Sequence, residues 1–283
     1  MHLRIYLVCI RPQHWTKNLL VFAAPFTAGS FSNFDGIRHL IYLFLIFCAA
    51  SSTNYVLNDW IDRDFDSKHS QKMHRPFAAK KMGSKSLFLL LSILFLIQVL
   101  LSFLIPLQLL SWVFAYLVIA IAYSTHFKQV AVVEMFLVAI GFILRALAGA
   151  AAVNVEASSW FLIVIGFGAL FLVANKRLAE ISNQDATLTR EVITQYSKSF
   201  LRIVVGSSMT ICLTGYTLWA FQYSSGTTIS KLSIMVFALA LIRYLWLSDR
   251  TNAEKPEVIL FTDKVVVGLG IVLITFMSTM IYL

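Results

Sequence analysis

The chain has 283 residues, of which 59% are hydrophobic and only 13% charged. Its mean hydropathy is +0.78. A soluble domain carries about twice that share of charge, so a water-soluble enzyme or a nucleic-acid binder is excluded. Runs of about 20 apolar residues recur along the whole length, each long enough to cross a bilayer. The chain is therefore expected to be an integral membrane protein, and its net charge of +9 is a matter of topology.

The N-terminal MHLRIYLVCIRPQHW places Arg11 and Pro12 where the apolar core of a signal peptide would give way to small residues, so no cleaved signal is expected. Nine spans follow, near residues 17–31, 38–57, 86–105, 107–125, 131–153, 158–175, 203–223, 229–248 and 265–283. The first contains Pro25, which predicts a kink or break. Connections after spans 1, 3, 5 and 7 carry only Arg38 and Lys231, whereas those after spans 2, 4, 6 and 8 are rich in Lys and Arg. The positive-inside rule then places the even connections and the N-terminus in the cytoplasm and the C-terminus outside. One all-α transmembrane domain over 1–283 is expected. Cys9, Cys48 and Cys212 stand singly in apolar surroundings, without metal-ligand spacing.

Polar residues beside or inside spans are costly and mark candidate sites. The first group, RPQHWTKN (11–18), offers His14, Lys17 and Asn18 at the start of span 1, with Trp15 as an interfacial anchor and Arg11 and Lys17 readable as ordinary flanking charges. The second, NDWIDRDFD (58–66), ends span 2. If the helix continues, Asn58, Asp62 and Asp66 lie at about 0°, 40° and 80°, Asp59 at about 100°, and Asp64 points away at about 240°. Four oxygen-bearing side chains on one face suit Mg²⁺ bridging to a phosphate; they also suit a solvated acidic helix end paired with Lys68 and Lys72.

Lys68, His69, Lys72, His74 and Arg75 come next, cations suited to a polyanionic ligand, while Lys80, Lys81 and Lys85 read as topology or lipid contacts. In span 5, Glu134 and Arg145 share a face but sit about 16 Å apart, so they cannot pair and each must meet something else, structural or ligand. Gly141, Ala148, Gly149 and Ala152 offer a small surface for close packing. In ANKRLAE (174–180), Lys176 and Glu180 are expected to pair, with Arg177 pointing elsewhere.

The stretch NDWIDRDFDSKHSQKMHRPFAA resembles the first aspartate motif of the UbiA superfamily of intramembrane prenyltransferases. The resemblance covers nearly the whole chain. It implies a nine-helix bundle around a central cavity, with cytoplasmic polar loops and Mg²⁺ holding a diphosphate. The loop after span 6 departs from the superfamily, with Lys176, Arg177, Glu180 and a lone Asp185 in place of a second aspartate motif. RPQHWTKNLLVFAAPF, AYSTHFKQVAVVEMFLVAIGFILRALAGAAA, ANKRLAE and LIRY…PEVILFTDKVV resemble, in order, the branch of phosphoribosyltransferases acting on decaprenyl phosphate. His14 stands where that branch has Gln, and Val133-Glu134 where it has Leu-Asp.

This resemblance implies transfer of 5-phosphoribose from phosphoribosyl diphosphate to a polyprenyl phosphate in the plasma membrane, supplying arabinofuranosyl precursors of cell-wall polysaccharide. The implied metal site is Asn58, Asp59, Asp62 and Asp66, with the three aspartates catalytic. Arg75, Lys68, Lys128 and Lys176 would hold donor phosphates, and Lys17, Asn18, His14 and Arg177 the acceptor phosphate. The alternatives are a prenyltransferase acting on an aromatic acceptor and a non-enzymatic transporter or lipid-binding protein. Oligomeric state stays open.

Overall fold

The computed structural model describes residues 2–31, 34–68, 72–182, 191–224, 226–251 and 256–283. These residues form helices throughout. Eight are long and apolar enough to cross a membrane: α3 (Phe34–Ile61), α5 (Ser84–Ser102), α6 (Leu107–Thr125), α7 (Val133–Ala152), α8 (Ser159–Ser182), α10 (Lys198–Ser224), α11 (Thr228–Thr251) and α13 (Lys264–Tyr282). They match the second to ninth predicted spans, with pronounced extensions at α3, α8 and α10. Short helices α1 (His2–Ile10), α2 (Ala23–Thr27), α4 (Arg63–Asp66), α9 (Glu191–Thr194) and α12 (Pro256–Thr262) complete the set.

The first predicted span takes another form. Residues Pro12–Phe22 make a 3₁₀ helix that passes directly into α2. Such runs rarely exceed four residues. Here Arg11 starts it in the left-handed region (φ 50, ψ 62), with Pro12 in the first turn. Pro25 falls inside α2 and breaks nothing; the change of helix type comes before it. At about 2.0 Å per residue the 3₁₀ segment reaches about 22 Å, and α2 adds about 7 Å. Together they match the hydrocarbon thickness without forming one continuous α-helix.

The chain falls into two compact units. One contains residues 1–26, 30–128 and 144–156. Its core gathers Cys9, Ala49, Val56, Phe77, Met82, Leu90 and Leu94. Gly149 of α7 meets the 3₁₀ helix so closely that a Cβ there would lie 1.8 Å from the Val21 carbonyl oxygen. In lipid, where apolar burial gives little drive, such contact is how helices associate. The other unit contains residues 27–29, 129–143 and 157–283. Here α8 packs on α10, with Gly215 against Ile163. Met135, Phe171, Ala174, Ile193, Leu201 and Tyr244 fill its core. The outward faces of α5, α11 and α13 carry large exposed apolar side chains such as Phe88, Phe95, Met235 and Ile271, the surface expected of helices facing lipid.

Candidate functional site

In the first unit, helical hydrogen bonding runs past the end of α3: the Asp62 amide donates to Asn58 and the Asp66 amide to Asp62. The winding therefore continues into α4. Asp59 and Asp66 face inward and are buried, Asp62 is partly covered, and Asp64 faces out with 87% of its side chain exposed. The chain then returns over this surface. Pro76, Phe77 and Ala78 are buried, with Phe77 edge-on to Trp60 at 5.6 Å, and this anchor delivers Arg75. Its Nη1 donates to Asp59 Oδ1 at 3.1 Å and Asp66 Oδ2 at 2.6 Å. Arg11 Nη2 donates to both oxygens of Asp59, at 2.6 and 2.9 Å. Lys128 Nζ donates to Asp62 Oδ1.

The predicted face thus divides into separate ion pairs. Like charges repel at close range, so cations come between the carboxylates: Asp62 turns to Lys128, while Asp59 and Asp66 share Arg75 and Asp59 takes Arg11 as well. Among the described residues no three His, Cys, Asp or Glu side chains converge as metal ligands, and Asn58 stays half-buried outside the network. Two carboxylates, Asp59 and Asp66, do converge on one cationic nitrogen. Mg²⁺ in phosphate-binding sites commonly takes one or two carboxylates, waters and substrate oxygens, so these two aspartates fit the ion, with Arg75 marking the cation position between them. Burial raises the Asp66 pKa above its ordinary 3.8; Arg75 and Lys72 oppose that shift, and Asp59 adds to it.

Lys68 and His74 are exposed, and Lys72 is half-buried. His69 and Asp185 lie outside the described residues. Along the 3₁₀ helix, the His14 ring packs on Tyr55 at 5.2 Å, and the Arg11 guanidinium lies 5.2 Å from the same ring. Asn18 is fully buried. Its amide donates to Cys48 Sγ and Ser51 Oγ, and its oxygen accepts from Arg145 Nε at 2.7 Å. The Arg145 guanidinium also sits 4.4 Å over the Tyr116 ring. Asn18, expected to hold a phosphate, is thus committed to protein partners, and Arg145 is one of them.

The second unit holds the other charged cluster. Glu134, wholly buried, accepts a fork of two bonds from Arg177: Nε to Oε1 at 2.7 Å and Nη2 to Oε2 at 2.6 Å. Arg177 Nη1 donates to Glu180 Oε2 at 2.6 Å. The expectation that Arg177 points away from Glu180 is therefore corrected. Positions i and i+3 are helix neighbours as much as i and i+4, and the fork of Arg177 serves both acids. Lys176 lies 3.9 Å from Glu180 with 39% of its side chain exposed, whereas that of Arg177 is 3% exposed. Tyr196 closes the cluster, accepting from the Val132 amide at 2.6 Å and donating to Glu134 at 3.4 Å. Burial pushes its pKa up to about 12, so the phenol keeps its proton at neutral pH. Val132 has φ 69, a strained value for a β-branched residue.

Sequence reasoning missed Arg11 and Tyr196. Arg11 lies 48 residues from its partner Asp59, and only the Arg-Pro dipeptide hinted at unusual backbone. Tyr196 carried no local signal at all.

Residues 19–265 match the model of the UbiA prenyltransferase family. Decaprenyl-phosphate phosphoribosyltransferase from Corynebacterium glutamicum is 33% identical over 266 residues, covering 90% of this chain and 80% of that protein. The enzyme of the same name from Mycolicibacterium smegmatis is 33% identical over 272 residues, covering 90% and 86%. A UbiA homolog from Archaeoglobus fulgidus, solved with GPP and Mg²⁺, superposes with a TM-score of 0.74 at 16% identity, over 99% of this chain and 100% of that one. The aspartate-bearing end of α3, the all-helical architecture and these matches along most of the length agree: the chain belongs to the UbiA prenyltransferase family.

Proposed function

We propose that this protein transfers the 5-phosphoribosyl group of phosphoribosyl diphosphate to a polyprenyl phosphate of the decaprenyl type, releasing diphosphate. The observation that carries the reading is the aspartate network at the end of α3, in which Asp59 and Asp66 share Arg75. The end of α8 carries Lys176, Arg177 and Glu180 in place of a second group of aspartates. One acidic site suits one diphosphate. The relatives that are 33% identical over 90% of the chain carry the name of this activity.

A phosphate oxygen of the acceptor would attack the anomeric carbon, and the bond from that carbon to the diphosphate oxygen would break, its electron pair leaving with diphosphate. Bound Mg²⁺, held by Asp59 and Asp66 with Asp62 and Asn58 beside them, would supply positive charge to the leaving group. Arg75, Lys68 and Lys128 share that charge or hold the 5-phosphate. The acceptor is already anionic, so positioning and desolvation matter more than a general base. The Lys- and Arg-rich connections support a cytoplasmic face of the plasma membrane for these motifs, where a soluble donor would meet a lipid acceptor. The product suits a polysaccharide-precursor pathway.

Purified protein is offered labelled phosphoribosyl diphosphate with decaprenyl phosphate, and separately a labelled prenyl diphosphate with an aromatic acid. Label should enter lipid only in the first mixture and stop entering on chelation of Mg²⁺. Transfer in the second mixture alone would overturn the reading.

A further inference from the structure

The segments LIRY (241–244) and PEVILFTDKVV (256–266) take no part in either charged cluster, yet they meet each other within the second unit. Arg243 Nη2 of α11 donates to Asp263 Oδ2 at 3.0 Å. Asp263 is the N-cap of α13 and also accepts from the Val266 amide at 2.9 Å. Arg243 lies about two turns inside α11, where a charge is costly and calls for a reason. Asp263 answers only part of it. Among the described residues Arg243 makes no other hydrogen bond, and its Nε is enclosed without an acceptor.

Trp246 stands one turn further on, between two guanidiniums. Its ring centre is 4.7 Å from Arg243 Cζ and 5.2 Å from Arg250 Cζ. Positions 243, 246 and 250 share one face of α11 within about 60°. Trp246, Arg250 and Lys264 are exposed, and among the described residues Arg250 and Lys264 pair with no carboxylate. Asp249 is exposed too, but it points about 100° round the helix from Arg250. This end of α11 and α13 therefore gathers three cations around one carboxylate that is already engaged.

An apolar row runs from the same indole along α11. Met235, Leu239, Ile242 and Trp246 follow at spacings of four, three and four, and all are exposed. From Trp246 to Met235 the row covers about 16 Å, about half of the ~30 Å hydrocarbon thickness, so it spans one leaflet. A soluble phosphate would use the cations alone. A phospholipid uses the cations and the row together. We propose that α11, with Lys264 of α13, binds an anionic phospholipid. Its phosphate sits at the Arg243–Trp246–Arg250 face, where planar guanidiniums match phosphate oxygens, and one acyl chain follows Ile242, Leu239 and Met235.

Full-length protein in mild detergent is titrated with phosphatidylglycerol or phosphatidylcholine, and bound lipid is counted by native mass spectrometry. One basic residue near an anionic lipid surface is worth about fivefold in affinity. Phosphatidylglycerol should bind more tightly than phosphatidylcholine by at least about that factor. Arg250→Gln should weaken phosphatidylglycerol about fivefold and leave phosphatidylcholine unchanged. Trp246→Leu, which removes the ring that both guanidiniums share, should weaken phosphatidylglycerol as well. Lys85→Gln, at an exposed cation near the start of α5, should change nothing, and excess inorganic phosphate should not displace the lipid. Equal retention of the two lipids, full binding in Arg250→Gln or Trp246→Leu, or an equal loss in Lys85→Gln would overturn the proposal. So would displacement by inorganic phosphate, which would make this a soluble-anion site. Self-association without phosphatidylglycerol that Arg250→Gln abolishes would give the face to a second copy of the chain, and would overturn it too.

Discussion

Among the described residues two carboxylate–guanidinium networks, one in each compact unit, stand out, and they differ in access. Around Asp59 the cationic partners are partly open, with Arg11 exposed to 19% and Arg75 to 25% of their side-chain areas. Around Glu134 and Arg177 the exposures are 0% and 3%. In the first network Asp59 receives two guanidiniums, one of which also reaches Asp66, so an anion or a metal can exchange partners with it. In the second, one guanidinium is enclosed by two acids and a tyrosine, and no partner is left to exchange. The same residue chemistry stays open to exchange where it is reachable and forms a clasp where it is sealed.

Arg177→Ala should show the largest effect on folding. It strands Glu134 in the buried interior, and losing one partner of a buried pair costs about 3–5 kcal/mol; thermal unfolding in detergent should reveal that loss, with no recovery at saturating substrate. Asp59→Asn should do the reverse. Turnover should drop by roughly two to three orders of magnitude, as when one electrostatic contact to the reacting charge is removed, with the melting temperature close to that of the unaltered protein. If Asp59→Asn unfolds the protein while Arg177→Ala only slows it, the contrast between the networks is wrong.

Gly149→Ala probes the frame that presents the first network. Its Cβ would collide with the Val21 backbone, and overpacking of this kind costs about 1–3 kcal/mol. The 3₁₀ helix should loosen, seen as faster hydrogen exchange at residues 12–22, while exchange near Arg177 stays unchanged.

The smallest effect is on pH dependence. Burial raises the Asp66 pKa above its ordinary 3.8, so the folded protein binds this proton more tightly than the unfolded chain. Stability from this group is therefore greatest at low pH and declines as pH rises through the folded-state pKa. Activity runs the other way, because the carboxylate must be ionised to hold Arg75 or a metal. The acidic limb of the rate profile should be displaced upward from the ordinary aspartate position, in the direction of the burial effect, and move in Asp66→Glu. A limb unchanged in Asp66→Glu would remove Asp66 from the site.

Much of this was legible from residue order. Apolar runs marked eight of the helices, since a bilayer demands length and hydrophobicity and tests little else. The 100° step showed that Asp64 faces away from Asp59 and Asp66. The distance between Glu134 and Arg145 showed that each needed another partner. Those partners, Arg177 and Asn18, lie 43 and 127 residues away along the chain, and no local pattern points to them.

Residue order thus determined the membrane-spanning architecture, the acidic end of α3 and the surplus of cations around it, because helix periodicity and bilayer thickness act within a few turns of chain. Tertiary structure decided which cation meets which carboxylate. It placed Arg11 on Asp59 and Arg75 between Asp59 and Asp66, closed Arg177 inside the Glu134 clasp, and wound residues 12–22 into a 3₁₀ helix. Each outcome depends on burial and on contacts between segments far apart in the chain, and a long charged side chain takes whichever partner the packing brings within about 3 Å.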